Sequence, residues 1–224
     1  MPVEQGRTPV EYGVYSESSV EIWRGIARRQ EIRDSVYWAE LAGFLKPGSV
    51  LELGSAIGQV SEFLNRRGFR AVGSDFFGFF VEDMKRRGLE AYEIDATNIQ
   101  ASPVGDRQFD NVIAQSLSPQ LRINLEMTDA VYRSVEKALV PGGRFIFTAA
   151  LYPFWPDKAK IYYTFEKHLE NIARHPGFRV VAAFRYQWMP TWMYRHWNKH
   201  LLHFIDYRLA RFLCMRGVFV LERR

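Results

Sequence analysis

Val50-Leu51-Glu52-Leu53-Gly54-Ser55-Ala56-Ile57-Gly58 decides the reading of this 224-residue chain. Ser49 to Leu53 is a short apolar run, the signature of a buried strand. Gly54 to Gly58 is a small-residue turn, and Gln59 to Arg67 reads as a helix ending at Gly68. Glycines at a strand-to-helix turn let the backbone pass close to a ligand with no Cβ in the way. A dinucleotide site would place G-x-G-x-x-G here. Ala56 and Gln59 stand where its second and third glycines would be, which argues against a nicotinamide cofactor. Glu52, at the strand's end, is a carboxylate able to face a cationic or amine-bearing ligand.

Working outward, strands alternate with helices. Arg70–Gly73 reads as a second strand, Phe79–Arg87 as a helix, Ala91–Ile94 as a third strand and Asp110–Ala114 as a fourth. Asn124–Leu139 follows as a helix stopped by Pro141-Gly142-Gly143. Arg144–Thr148 is a fifth strand, Lys160–Arg174 a helix, Phe178–Tyr186 a sixth strand and Gly217–Leu221 a seventh. Upstream, Ser16–Leu45 reads as helix with a break near Arg33-Asp34, ending at Lys46-Pro47-Gly48. This alternation predicts an α/β fold with a doubly wound, mainly parallel seven-stranded sheet and helices on both faces. Such sheets bind ligands outside the carboxyl ends of their strands, where strand order reverses. The residues that just follow strands are therefore the functional candidates: Gly54 to Gly58, Asp75, Asp95 and Gln115 to Leu117. The organisation expected is a helical cap over residues 1–46 and one domain over 47–224, with an insert at about 187–215.

Composition narrows the classes. Hydrophobic residues make up 47% of the chain, enough for a core without staples. A single cysteine, Cys214, excludes an intramolecular disulfide and a multi-cysteine zinc site. Met1 to Gly13 is polar, which argues against a secretory signal, and no apolar run reaches the roughly 18 residues of a membrane span. A cytoplasmic location is the expectation. The net charge of +5 is uneven: residues 185–224 hold eight Lys or Arg against two acidic residues. Three of the six Trp fall between Trp188 and Trp197. Basic residues interleaved with aromatics also suit nucleic acid, but the excess is moderate and no RNA-binding module is visible.

The pattern E-x-G-x-x-x-G at Glu52, Gly54 and Gly58 resembles the first motif of class I S-adenosylmethionine-dependent methyltransferases. Four later segments match that family in order. Asp75 ends the second strand in Val72-Gly73-Ser74-Asp75-Phe76, where the family's acidic residue holds the ribose hydroxyls. Ile94-Asp95-Ala96 resembles the segment that contacts the adenine amino group. Phe109 to Ala114 resembles the fourth-strand motif, and Leu139 to Phe145 the turn into the fifth strand. The resemblance covers about residues 45–185 and the final strand. It implies a Rossmann-like sheet whose last strand is antiparallel, and S-adenosylmethionine as cofactor. The cofactor residues it implies are Glu52, Gly54, Ser55, Ala56, Gly58, Asp75, Phe76, Asp95, Ala96 and Gln115. Asp75 also suits a helix N-cap and Asp95 a turn. Phe76 could stack on adenine, with Phe77, Phe79 and Phe80 reading as core. Upstream, Tyr12, Tyr15, Trp23 and Trp38 could fold over the cofactor or pack on the sheet.

Three departures stand out. Ala56 replaces the usual central glycine. Gln115-Ser116-Leu117-Ser118-Pro119 lacks the His common in relatives that act on small molecules. The Asn-Pro-Pro-Tyr motif of many relatives that methylate nucleobase or glutamine amide nitrogens is absent.

The insert between the sixth and seventh strands spans almost thirty residues, where relatives have a short link. Thr191 to Leu213 reads as one helix with Met193, Tyr194, Trp197, Leu201, Phe204, Ile205 and Phe212 on an apolar face. His196, His200, His203 and Tyr207 fall within about 60° on its border. Four readings stay open: packing on the sheet or on a twin subunit in a homodimer, a substrate lid, a membrane-surface element, or a metal site. The lid reading makes Trp192, His196 and His200 the acceptor-side candidates. No third ligand accompanies His196 and His200, so no metal is expected. No catalytic residue is assigned, because methyl transfer from a sulfonium depends mainly on positioning. The function expected is transfer from S-adenosylmethionine to an oxygen or nitrogen of a small organic acceptor. The alternatives are a lipid or quinone methyltransferase at a membrane surface and a non-catalytic S-adenosylmethionine-binding protein.

Overall fold

The computed structural model describes residues 15–115, 117, 125–151, 164–186, 192–205 and 216–224. The elements in chain order are α1 (Ser19–Ala42), β1 (Ser49–Leu53), α2 (Gln59–Asn65), β2 (Arg70–Asp75), α3 (Gly78–Arg86) and β3 (Ala91–Glu93). There follow β4 (Phe109–Gln115), α4 (Leu125–Ala138), β5 (Leu139–Ala150), α5 (Phe165–Ala173), β6 (Phe178–Tyr186), α6 (Met193–His196), α7 (Lys199–Phe204) and β7 (Arg216–Arg223). The sheet runs β3-β2-β1-β4-β5-β7-β6. All neighbours pair parallel except β7, which is antiparallel to both β5 and β6. The strand order reverses between β1 and β4, which fixes the switch point at the loops after Leu53 and Gln115.

The two-residue period of the strands divides the core cleanly. Leu51, Leu53, Val112, Ala114, Phe145, Phe147, Phe219 and Leu221 face one side, against Val131, Tyr132 and Val135 of α4 and Ile172 of α5. The alternate residues Val50, Ile113, Ile146, Val218 and Val220 face the other, against Tyr37, Trp38 and Leu41 of α1 and Val60 and Leu64 of α2. Both faces of the central strands are covered, which is why these strands read as continuous apolar runs.

Four local expectations are corrected. The N-terminal helix has no break at Arg33-Asp34, and it stops at Ala42 before Gly43 rather than at Pro47. Val20 and Ala27 before the polar middle are buried against Ile57 and Phe80, and Tyr37, Trp38 and Leu41 after it are buried against the sheet, so the helix is held on both sides of it. Pro141-Gly142-Gly143 does not precede the fifth strand but lies inside it. Leu139 pairs with Phe109, the pairing shifts, and it resumes at Arg144 with Asn111, while Gly142 takes φ +74°. The insert is not one helix. It breaks at Trp197, and Asn198 starts α7 by accepting from the backbone N–H groups of His200 and Leu201. The expected apolar face is split, because Tyr194 is buried whereas Trp197, Leu201 and Phe204 are exposed, and Leu202, outside that face, is buried instead. Tyr12, Ser116, Tyr207, Phe212 and Cys214 lie outside the described residues.

Candidate functional site

The turn after β1 is held by a serine lattice. The Ser55 N–H donates to the Ser74 carbonyl (2.7 Å), and the Ser74 N–H donates to Ser55 Oγ (2.9 Å). Both hydroxyls donate to the Glu52 carbonyl. Gly54 and Gly58 take φ of +67° and +71°, the left-handed region that favours glycine. Space points the same way. A Cβ on Gly54 would stand 2.8 Å from Leu117 Cδ1, and one on Gly58 2.7 Å from Met84 Sδ. Ala56 takes φ +46° despite its Cβ. Its N–H donates to Asp75 Oδ2 at 2.9 Å, which pins the loop to the end of β2.

Glu52 is buried beneath this turn. Its Oε2 accepts from the Ser61 N–H (2.8 Å) and the Ser61 hydroxyl (2.6 Å). Gly58, at the N-cap of α2, has no side chain to serve that amide, so a strand carboxylate does it instead. Burial pushes the Glu52 carboxyl up to about 7, with the Ser61 donors holding it lower than burial alone would. Asp75 Oδ1 accepts from the Phe77 N–H at 3.1 Å, so it does start the turn into α3. Burial raises its carboxyl to about 6, against the pull of the Phe77 and Ala56 amides.

Above these groups lies a cavity of about 350 Å³. Its base is the switch point of the sheet, and α1 forms its cover with Trp23, Ile26, Ala27 and Trp38. Trp38 Nε1 donates to Gln115 Oε1 at 3.2 Å, tying α1 to the end of β4. Arg24 reaches the fully buried Asp83 of α3 at 2.5 Å, so the cover is fastened on a second side. Tyr15 sets its ring edge-on to Phe77 at 5.4 Å. At the β3 end, Asp95 lines the cavity and also accepts from the Thr97 N–H and hydroxyl (2.8 and 2.6 Å). At the opposite end stands Arg216, the one cationic side chain among the described residues of the lining.

The structure brings Glu52, Gly54, Ser55, Ala56, Asp75, Phe76, Asp95, Ala96 and Gln115 together around this cavity. Gly58 stands behind it and shapes the turn. Phe77 and Phe80, read as core, also line it, as do Tyr15, Trp23 and Trp38. Trp192, His196 and His200 do not: they are exposed and outside the lining. His203 pairs with Glu40 of α1. Among the described residues no cluster of His, Cys, Asp and Glu could hold a metal. Arg216 escaped the sequence reading for a topological reason. Residues after parallel strands were sought, but β7 is antiparallel and so presents its first residue at that edge. An Arg heading the last apolar run was the available signal.

A methyltransferase-domain family matches residues 51–147, the stretch from β1 through β5 that contains the turn, Asp75, Asp95 and Gln115. That stretch, under half of the chain, is similar to the methyltransferase domain. The match points to a methyltransferase that uses S-adenosylmethionine. Solved structures with the same fold include the glycopeptide N-methyltransferase MtfA complexed with S-adenosylmethionine, at 14% identity and a TM-score of 0.60 over 85% of this chain and 94% of that one. A methyltransferase from Clostridium acetobutylicum ATCC 824 matches at 13% and 0.58, over 88% of this chain and 91% of that one. The geranyl diphosphate C-methyltransferase from Streptomyces coelicolor A3(2) matches at 13% and 0.63, over 85% and 81%. No curated protein sequence matches. The cavity's chemistry fits the cofactor: two glycines leave backbone bare where a Cβ would collide, and a buried carboxylate ends β2.

Proposed function

We propose that the protein methylates an oxygen or nitrogen of a small organic acceptor that carries an anionic group. The observation that carries this reading is the polarity of the cavity: Asp75 and Asp95 at one end, Arg216 at the other. Asp75 and Arg216 lie on strands four places apart, about 19 Å along the sheet at ~4.8 Å per strand. Gln115 stands on the strand midway between them.

Bound in this cavity, S-adenosylmethionine supplies a methyl group already activated by its sulfonium. The chain's part is to hold and to dry. Asp75 accepts the ribose hydroxyls, and Phe76, Asp95 and Ala96 frame the adenine. Gly54, Ser55 and Ala56 bring bare backbone to the chain of the cofactor, and Glu52 stiffens that turn from below while facing its ammonium. Gln115, oriented by Trp38, marks the transfer point. Arg216 takes the acceptor's anionic group and aims its nucleophile toward Gln115. The cover of α1 excludes water that would solvate that nucleophile. Positioning of this kind can lower a barrier by up to ~7–11 kcal/mol, so no general base is required when the acceptor binds unprotonated.

Calorimetry with S-adenosylmethionine, followed by S-adenosylhomocysteine release against paired acids and their methyl esters, tests this. The expected result is turnover of acids over esters, with Arg216→Gln raising KM for the acid about tenfold and leaving cofactor affinity unchanged. Cofactor binding without turnover of any acceptor would instead favour a binding protein. Loss of cofactor affinity in Arg216→Gln would place the cofactor's own carboxylate on Arg216.

A further inference from the structure

The cover of the cavity and the turn after β1 meet at one buried carboxylate. Asp83 of α3 is fully buried. Its Oδ1 accepts from Arg24 of α1 at 2.5 Å, and its Oδ2 accepts from Arg87 Nε, just past the end of α3, at 3.2 Å. Arg86, largely exposed, stands 3.5 Å from Oδ1. A carboxylate out of water needs charged partners that also donate hydrogen bonds, and Arg24 and Arg87 supply them from two sides.

Arg87 carries the connection onward. Its guanidinium donates to the Ile57 carbonyl through Nη2 and to Glu62 of α2 through Nη1 at 3.3 Å. Ile57 lies between Ala56 (φ +46°) and Gly58 (φ +71°), in the middle of the turn that lines the cavity. The N–H that would reach its carbonyl in a continued helix is that of Ser61, and Glu52 takes it. The ladder of α2 begins one residue later, with the Glu62 N–H on the Gly58 carbonyl at 3.0 Å. The Ile57 carbonyl therefore stands outside the ladder, and Arg87 provides its donor. A planar guanidinium serves Asp83, Glu62 and Ile57 together because its donors form a rigid fork, which a lysine ammonium lacks. The side chain of Ile57 meanwhile packs with Val20 and Ala27 of α1.

We infer that Arg24, Asp83 and Arg87 form a relay through which the seating of α1 sets the turn after β1, with Arg87 as the positioning residue of that turn. When Arg24 leaves Asp83, the carboxylate draws the Arg87 fork toward its bare oxygen and off the Ile57 carbonyl. The turn then loses the bond that holds it between two left-handed residues. Coupling of this kind is reciprocal, so a ligand that fixes the turn also seats the cover. Water is thereby excluded only once the cavity is loaded. Only the calorimetric half of the test below rests on the cofactor reading proposed above.

Amide hydrogen exchange on the whole chain reads the relay in the free protein. The N–H groups of Ser55, Ala56 and Gly58 are bonded to the Ser74 carbonyl, Asp75 Oδ2 and the Ser55 carbonyl, so each reports opening of the turn. Arg24→Gln, a change on α1, is expected to speed their exchange about tenfold while leaving Val112 and Phe145 in the sheet unchanged. Arg87→Lys should act alike, and the double variant should exchange no faster than either single, because both break one relay. Arg24→Lys, which returns a charge to Asp83, should restore protection, and Arg86→Gln, outside the relay, should not disturb it. Calorimetry with S-adenosylhomocysteine should show each relay variant about tenfold weaker, again without additivity. Unchanged exchange of the turn in folded Arg24→Gln would overturn the relay, leaving these residues as ordinary ion pairs that move only the melting temperature. Additive effects in the double variant would overturn it as well. A wild type that binds no S-adenosylhomocysteine would count against the cofactor reading alone, since the exchange result stands without it.

Discussion

Replacing Asp75 with Asn keeps the side-chain shape and removes its charge, and the structure sets the size of the effect. Burial raises the Asp75 carboxyl from 3.8 to about 6 in the folded protein. If the ribose hydroxyls donate to the ionised form, as proposed, cofactor affinity is complete well above 6 and declines as pH falls through 6. One pH unit below that value about a tenth of the groups remain ionised, so affinity drops about tenfold. The unliganded protein behaves in the opposite sense. A carboxyl whose folded pKa lies above its unfolded value costs stability as pH rises from 3.8 through about 6, on the order of 3 kcal/mol at neutral pH. Hydrogen bonds to a charged acceptor contribute about 1.5–3 kcal/mol, so Asp75→Asn should weaken S-adenosylhomocysteine binding roughly 10- to 150-fold at about pH 8. The gap between variant and wild type should shrink toward about pH 5, where the wild type is itself protonated. Calorimetry at four pH values on both proteins measures this. A flat wild-type profile through pH 6 would refute the ionised-acceptor role. An unchanged slope in the variant would assign the titration to Glu52, whose carboxyl sits at about 7.

Three other outcomes follow from the same geometry. Ala56→Val should cost about 2 kcal/mol in urea unfolding, because a β-branched residue at φ +46° is strained, while Ala56→Gly should shift stability by less than about 1 kcal/mol. His168 is buried, and desolvation lowers its imidazole from 6.5 to about 4; its contribution is therefore complete above 6.5 and lost as pH falls toward 4. His168→Phe should remove about 3 kcal/mol of acid sensitivity, seen as a flatter plot of denaturant midpoint between about pH 4 and 7. Asp83→Ala strands Arg24 and Arg87 beside a buried gap, which should cost about 2 kcal/mol after allowing for the partial exposure of the arginines. Loosening of α1 should also weaken cofactor binding, measured by calorimetry on the folded fraction.

The strands and the main turn were legible because their signals are local. Ser49–Leu53 and Phe178–Tyr186 begin and end where the apolar runs do. Glycines at 54 and 58 announce left-handed backbone, since few other residues adopt it without strain. The insert was misread because helical periodicity does not register a break. Asn198 is an N-cap only once Trp197 leaves helical geometry, and one face of the segment must first find α1. The N-terminal helix failed in the reverse direction: polar residues suggested a break, but the buried residues on both sides of them hold the helix continuous.

The sequence by itself determined the order of elements, the cofactor turn, and the acidic residues that end β2 and follow β3. These depend on contacts between near neighbours and on backbone conformations that few residue types can adopt. Only the tertiary structure decided that α1 covers the cavity through Trp23 and Trp38, and that Glu52 caps α2 from a strand. It likewise set Arg216 at the far end of the cavity and turned Trp192 and Trp197 outward. Each of these is a meeting of residues distant along the chain. Which faces of a segment are buried depends on the surfaces it meets, and those exist only after the sheet has formed.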